Sequence, residues 1–302
     1  DVGRLTLKTA SLFYFCRQTS DVRPVTKGSS MPKLIPYHNT YKATGVEDAE
    51  AQDVVLIHGW GLHAIVFDDI VPALLERFRV TVVDLPGMGQ SPLPAADYTL
   101  DFLADQMLEI MPEKAHVLGW SLGGLVALAM ADKAPQRVQS VVTVAASPRF
   151  TSTEGWDTAM KSDILSKFAE MFAEDQEGTL VRFLALNCKG SAAMRADTAR
   201  LKEILYFCGL PAPKALRGGL DILRDADMRA VLPTLPMPVL MVFGENDHIV
   251  PAAAMAASEA LINTGRTALI EQVAHVPFLS APDTFTQAIY DFWREYALTS
   301  DV

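Results

Sequence analysis

A chain of 302 residues, half of them hydrophobic and 21% charged, reads as a globular protein with room for a large core. The formal charge of −10 and a pI near 5.1 argue against nucleic acid as the main partner, since phosphate binding needs a concentrated basic face. Three cysteines (Cys16, Cys188 and Cys208) without a CxxC pair offer neither a disulfide framework nor a zinc pattern and fit a reducing, cytoplasmic setting. No apolar run approaches the ~18 residues of a membrane-spanning helix.

In chain order, residues 1–30 hold "SLFYFC" in a mildly basic stretch, too short for a secretory core and without a small-x-small cleavage site. They are expected to be a tail or leader outside the fold, with the domain beginning near Met31. From residue 53 the pattern is regular. "DVVLIHG" and "RVTVVD" are continuous apolar runs ending in glycine or proline turns, as strands buried on both faces are. "TLDFLADQMLEIM" spaces its apolar residues helically, with Thr99 placed to cap it. "AHVLG", the helix "LGGLVALAMADKAP" and the strand "VQSVVTVAA" continue the alternation. Residues 148–235 then show helical patterns, as in "SDILSKFAEMFAED" and "ARLKEILYFC", but no convincing strand. The rhythm resumes with "MPVLMVFGENDHIVP", "AAAMAASEALIN", "TALIEQVAH" and "TFTQAIYDFWREYAL". Alternating strands and helices predict an α/β fold, a mostly parallel sheet flanked by helices. The expected division is a core of residues 31–147 and 236–302, with a helical lid, 148–235, inserted between two strands.

Gly119-Trp120-Ser121-Leu122-Gly123 matches G-x-S-x-G between a predicted strand and a predicted helix, where the glycines permit a sharp turn that exposes the serine. A serine hydroxyl needs a base, and six histidines are available. His38 lies in a weakly patterned segment and His116 on the strand before the turn. His58 is placed to organise a glycine loop, His63 to reach substrate, and His248 directly follows an acid candidate. His275, in "QVAHVPFLSAP" after the last predicted strand, emerges at the same sheet edge as Ser121 and is the expected base. Asp247, in the turn after the preceding strand, is the expected acid. Asp225 and Asp227 compete from beside the insertion, and Asp84 in "DLPG" reads as a turn-stabilising carboxylate. The order Ser, Asp, His is that of α/β-hydrolases. The oxyanion donors are expected to be the N–H groups of Leu122, directly after the nucleophile, and Trp60, in the loop Gly59-Trp60-Gly61. The Trp60 ring is placed either to wall the acyl site or to fill the core.

"LIHGWGLHAIVF", "VVDLPGMGQS", "LGWSLGGLVA", "FLALN", "GGLDIL" and "AHVPFLSAP" together resemble the pimeloyl-[acyl-carrier-protein] methyl ester carboxylesterase family of biotin synthesis, from about residue 54 to the end of the chain. The resemblance implies an α/β-hydrolase fold and a serine esterase with Ser121, Asp247 and His275 as its triad. It further implies substrate contacts at Trp60, Ser121, Leu122, His275 and the lid stretch Phe183-Leu184-Ala185-Leu186-Asn187. The family pattern has glutamine where this chain has Asn187, a shorter reach. "FLAL" also reads as a buried helix face. No metal or organic cofactor is implied. The partner implied is acyl carrier protein bearing a methyl-esterified pimeloyl chain, without nucleic acid or membrane, and with a monomer as the favoured state.

Arg182, Lys189, Arg195, Arg200 and Lys202 crowd the insertion, with only Asp197 among them in sequence. They suit an acidic carrier or a free carboxylate, or else form a solvated helix face. Two other readings share the fold: a broad short-chain carboxylesterase or C–C hydrolase, and a non-catalytic binding protein.

Overall fold

The computed structural model describes residues 34–296, so the expectations for residues 1–30, Cys16 among them, lie outside the described residues. Seven strands form one sheet: β1 (His38–Tyr41), β2 (Gln52–Ile57), β3 (Phe78–Val83), β4 (Ala115–Trp120), β5 (Val138–Val144), β6 (Val239–Gly244) and β7 (Gly265–Ile270). Their order is β1-β3-β2-β4-β5-β6-β7, parallel except for β1, which runs antiparallel to β3. The apolar runs of β2 to β6 lie between helix layers and are almost wholly buried, which is why they read as continuous hydrophobic stretches. Strand β1 is the exception to the sequence reading. Its four residues, His-Asn-Thr-Tyr, alternate between exposed and half-buried at the sheet edge, so they carry no apolar signal.

Helices α1 (Val71–Leu74), α2 (Leu100–Ile110) and α3 (Leu122–Lys133) connect the early strands. Thr99 caps α2 as expected, its hydroxyl accepting from the Phe102 N–H at 3.1 Å. Helix α3 is buried on every side from Leu122 to Ala131, which its glycines and alanines permit. Between β5 and β6 the chain leaves the sheet and forms α4 (Ser162–Glu174), α5 (Gln176–Cys188), α6 (Met194–Phe207) and α7 (Pro213–Asp225). Helices α8 (Ala254–Glu259), α9 (Pro277–Ser280) and α10 (Pro282–Tyr296) complete the fold. Cys188 is buried and Cys208 half-buried.

At the starts of β2, β4 and β5 sits a buried polar chain. Trp293 Nε1 donates to Ser140 Oγ at 2.9 Å, Ser140 lies 2.8 Å from His116 Nδ1, and His116 Nε2 lies 2.7 Å from Gln52 Oε1. This network suits a neutral imidazole, and burial lowers the His116 pKa from 6.5 to about 4. Burial lowers that of His58 to about 3. Both groups bind protons more readily when unfolded. Their contribution is therefore intact above pH 6.5 and erodes as the pH falls toward 4, by roughly 1.4 kcal/mol per pH unit for each group. Urea unfolding of wild type and His116→Gln between pH 7 and 4.5 is expected to give a shallower loss of stability in the variant. Parallel pH dependences would refute the assignment.

Candidate active site

Ser121 is the single residue between β4 and α3, and its φ of 54° and ψ of −117° mark a strained elbow costing about 1–3 kcal/mol in a residue with a side chain. Its N–H donates to Val144 O on the neighbouring strand at 2.9 Å, which fixes the elbow against β5. The motif glycines have separate steric reasons. A Cβ on Gly119 would collide with the Gly123 carbonyl, and one on Gly123 would collide with the carbonyls of Ile57 and His58. Gly123 thus lets α3 begin directly against the end of β2.

Ser121, His275 and Asp247 are joined in one hydrogen-bonded line. His275 Nε2 stands 3.0 Å from Ser121 Oγ, and Nδ1 stands 2.7 Å from Asp247 Oδ2. The other carboxylate oxygen, Oδ1, accepts from the N–H groups of Ile249 at 2.7 Å and Val250 at 3.0 Å, so the turn after β6 holds the acid in place. With a carboxylate at Nδ1, the proton belongs on Nδ1 and the Nε2 lone pair faces the serine. Gly244 makes the approach possible, since a Cβ there would strike the Ala274 carbonyl in the segment that delivers His275. Asp225 and Asp227 instead pair with surface arginines, Arg224 and Arg229, at 2.7 Å each. All three joined residues are buried, Ser121 to 2% exposure.

Side-chain atoms of the two residues expected to supply the oxyanion donors, Trp60 and Leu122, both lie beside Gly219 of α7. Leu122 opens α3, where a helix leaves its first N–H groups without intrahelical acceptors. Trp60 lies in the loop after β2, which His58 organises. Its Nε2 accepts the Leu85 N–H at 2.9 Å, so its Nδ1–H is the one that donates to Gly59 O at 2.7 Å. Asp84 supports the same loop, accepting from Ala64 N and Gln90 N at 2.8 Å each. The Trp60 ring is 1% exposed and packs edge-on against Phe183 at 5.0 Å, Phe168 at 5.7 Å and Phe172 at 5.9 Å.

The inserted helices are fastened to both halves of this site. His63, whose pKa burial depresses, lies 2.6 Å through Nε2 from Ile204 O on α6. The His275 N–H donates to Asn187 O at the end of α5 at 2.9 Å. Asn187 turns its side chain back on its own helix, Nδ2 donating to Phe183 O at 2.7 Å, and leaves its buried Oδ1 without a protein partner. Phe183 and Leu184 are buried, Ala185 and Leu186 half-buried. Asp197 is not a surface counter-charge. It is buried, accepting from Ser280 Oγ at 2.6 Å and Ser191 Oγ at 3.0 Å, so it ties α6 to the helix that follows His275. Arg200 is drawn toward Asp68 at 3.9 Å and Glu203 at 3.8 Å, and Arg182 toward Asp175 at 3.7 Å. Lys189 and Arg195 are exposed and Lys202 half-exposed. Sequence reasoning missed these main-chain ties, which have no residue-type signature. Among the described residues no group of three or more metal-ligating side chains occurs, and no helix is long and apolar enough to cross a membrane.

Residues 54–282 match the family described as alpha/beta hydrolase fold. The chain is 40% identical over 244 residues to "Pimeloyl-[acyl-carrier protein] methyl ester esterase" of Aeromonas hydrophila, covering 80% of this chain and 96% of that one. It is 42% identical over 246 residues to the protein of the same name from Pectobacterium carotovorum, covering 82% and 96%. Among solved structures, an esterase from Exiguobacterium antarcticum superposes with a TM-score of 0.76 at 22% identity, over 85% of this chain and 94% of that one, a likeness of fold. The chain belongs to the alpha/beta hydrolase fold family and, within it, to the pimeloyl-[acyl-carrier protein] methyl ester esterases.

Proposed function

We propose that this protein is a serine carboxylesterase that hydrolyses the methyl ester of a pimeloyl chain carried on acyl carrier protein, the step in biotin synthesis that the sequence resemblance implies. The observation that carries the reading is the Ser121–His275–Asp247 line of hydrogen bonds at the sheet edge. The names of relatives at about 40% identity support the substrate.

In this reading His275 takes the Ser121 proton as Oγ attacks the ester carbonyl, and the N–H groups of Leu122 and Trp60 hold the oxyanion. Methanol leaves with the proton from His275. Water, deprotonated by His275, then releases the free carboxylate from the acyl-enzyme. These steps need no metal or organic cofactor. The lid, residues 148–235, supplies an apolar wall for the methylene chain through Phe183 and Leu184, which the ring of Trp60 continues from the core, with Ala185, Leu186 and Asn187 on the same helix as Phe183. Burial of Ser121 requires the lid to part from the core for a carrier-linked chain to enter. Lys189, Arg195 and Lys202, at least partly exposed, are the basic residues best placed for an acidic carrier. Arg182 and Arg200 are partly neutralised by their carboxylate neighbours.

The test compares pimeloyl-acyl-carrier-protein methyl ester with a free butyrate ester. The carrier-linked ester is expected to show the higher kcat/KM, by about tenfold or more, with the preference shrinking as salt screens the docking charges. Cleavage of the butyrate ester alone would retain the triad and make the protein a general short-chain esterase.

A further inference from the structure

Helix α7 carries two adjacent glycines, Gly218 and Gly219, in its interior. Glycine there weakens a helix relative to alanine, so a pair needs a packing reason. The two glycines face different neighbours. A Cβ on Gly218 would stand 2.5 Å from the Cβ of Tyr98, a core residue whose hydroxyl donates to Pro86 O at 2.9 Å. A Cβ on Gly219 would stand 2.6 Å from Cδ1 and 3.1 Å from Nε1 of Trp60, and 3.3 Å from Cδ2 of Leu122. One glycine therefore admits a residue of the general core. The other admits the two residues whose main-chain N–H groups are assigned to the oxyanion.

The Trp60 ring is held at this point from several directions. Nε1 donates to Leu216 O, one turn before Gly219 on α7, at 2.8 Å. Three phenylalanine rings of α4 and α5 close on it edgewise. Its own loop is held on one side by the His58 bond to Gly59 O, but Trp60 lies between Gly59 and Gly61, and Gly61 adopts φ +78°. Two flanking glycines leave the backbone many conformations. The clamped ring therefore adds to the loop's own bonds in fixing the direction of the Trp60 N–H.

We infer that Gly219 is a positioning residue for the reaction: by carrying no side chain it lets α7 clamp the Trp60 indole, and the clamped indole holds the neighbouring N–H on the oxyanion. The inference rests on the assignment of Trp60 and Leu122 as oxyanion donors. It gives the "GGLDIL" stretch of the lid a role in rate as well as in covering the site.

Gly219→Ala and Gly218→Ala form a matched pair, since each adds one methyl to the same helix. With p-nitrophenyl butyrate, Gly219→Ala is expected to lower kcat by about ten- to a hundredfold. KM should stay within twofold, and phosphonylation of Ser121 by a p-nitrophenyl phosphonate should slow in parallel with kcat. Gly218→Ala should shift the unfolding midpoint but keep kcat within twofold of wild type. Equal kcat losses in the two variants, or a folded Gly219→Ala with full kcat, would overturn the inference. Trp60→Phe tests the clamp without touching the helix, because it keeps an aromatic ring but gives up the bond to Leu216. Its expected result is about a tenfold loss of kcat at unchanged KM, and full activity would equally overturn the inference. A crystal structure of the wild-type phosphonate adduct separates the underlying assignment. A phosphonyl oxygen on the Trp60 and Leu122 N–H groups supports it, and an oxygen elsewhere removes the oxyanion assignment itself.

Discussion

In Ser121→Ala, kcat for the carrier-linked methyl ester is expected to fall by about 10⁴- to 10⁶-fold, with the unfolding midpoint nearly unchanged. The reasons lie in what the substitution leaves alone. The Cβ remains, so the strained φ of 54° is neither worsened nor relieved. The main-chain bonds of the elbow, from Ser121 N to Val144 O and from Gly124 N to Ser121 O, are untouched. Only Oγ is lost, and its protein partner is His275 Nε2 at 3.0 Å. Residual turnover would come from the oxyanion donors and substrate binding alone. Purified variant assayed beside wild type settles the matter, and activity within a hundredfold of wild type would remove Ser121 from the mechanism.

Asp247→Asn is expected to cost almost as much, about 10⁴-fold in kcat, through one misplaced proton. The turn after β6 dictates how the new amide sits. Two N–H groups, from Ile249 and Val250, point at the Oδ1 position and demand an acceptor there. The amide oxygen therefore takes that place, and the NH₂ faces His275 Nδ1, 2.7 Å away in the parent geometry. An imidazole facing a donor at Nδ1 keeps its proton on Nε2, and the lone pair that should accept the serine proton is gone. The variant should fold normally and bind substrate with a KM close to wild type. Retention of more than a tenth of wild-type kcat would mean that His275 draws its orientation from elsewhere.

The legible parts of this molecule are those whose physical cause is local. Strands β2 to β6 could be read because a strand covered on both faces must be apolar throughout. The elbow could be read because a turn that tight requires glycine at fixed spacing. His275 and Asp247 were identifiable by position, each following a strand at the same sheet edge, and the structure joins both to Ser121. Strand β1 was silent because an edge pairing needs only backbone groups. The role of Asp197 has no sequence signature for a related reason: one of its two serine partners, Ser280, lies 83 residues further along the chain. The tie of His63 to Ile204 O is illegible because it depends on where α6 crosses, which no short window contains.

The hydrogen bond from the His275 N–H to the Asn187 carbonyl changes what kind of part the inserted helices are. A cover that only excluded water would be interchangeable, and one relative's helices could be grafted onto another's sheet with the chemistry intact. Here the graft would also remove a strut from beneath His275, the proposed base. The insertion and the loop bearing His275 are therefore joined as one part, and a chimera built at the ends of β5 and β6 would have to carry both halves of that contact to keep its rate.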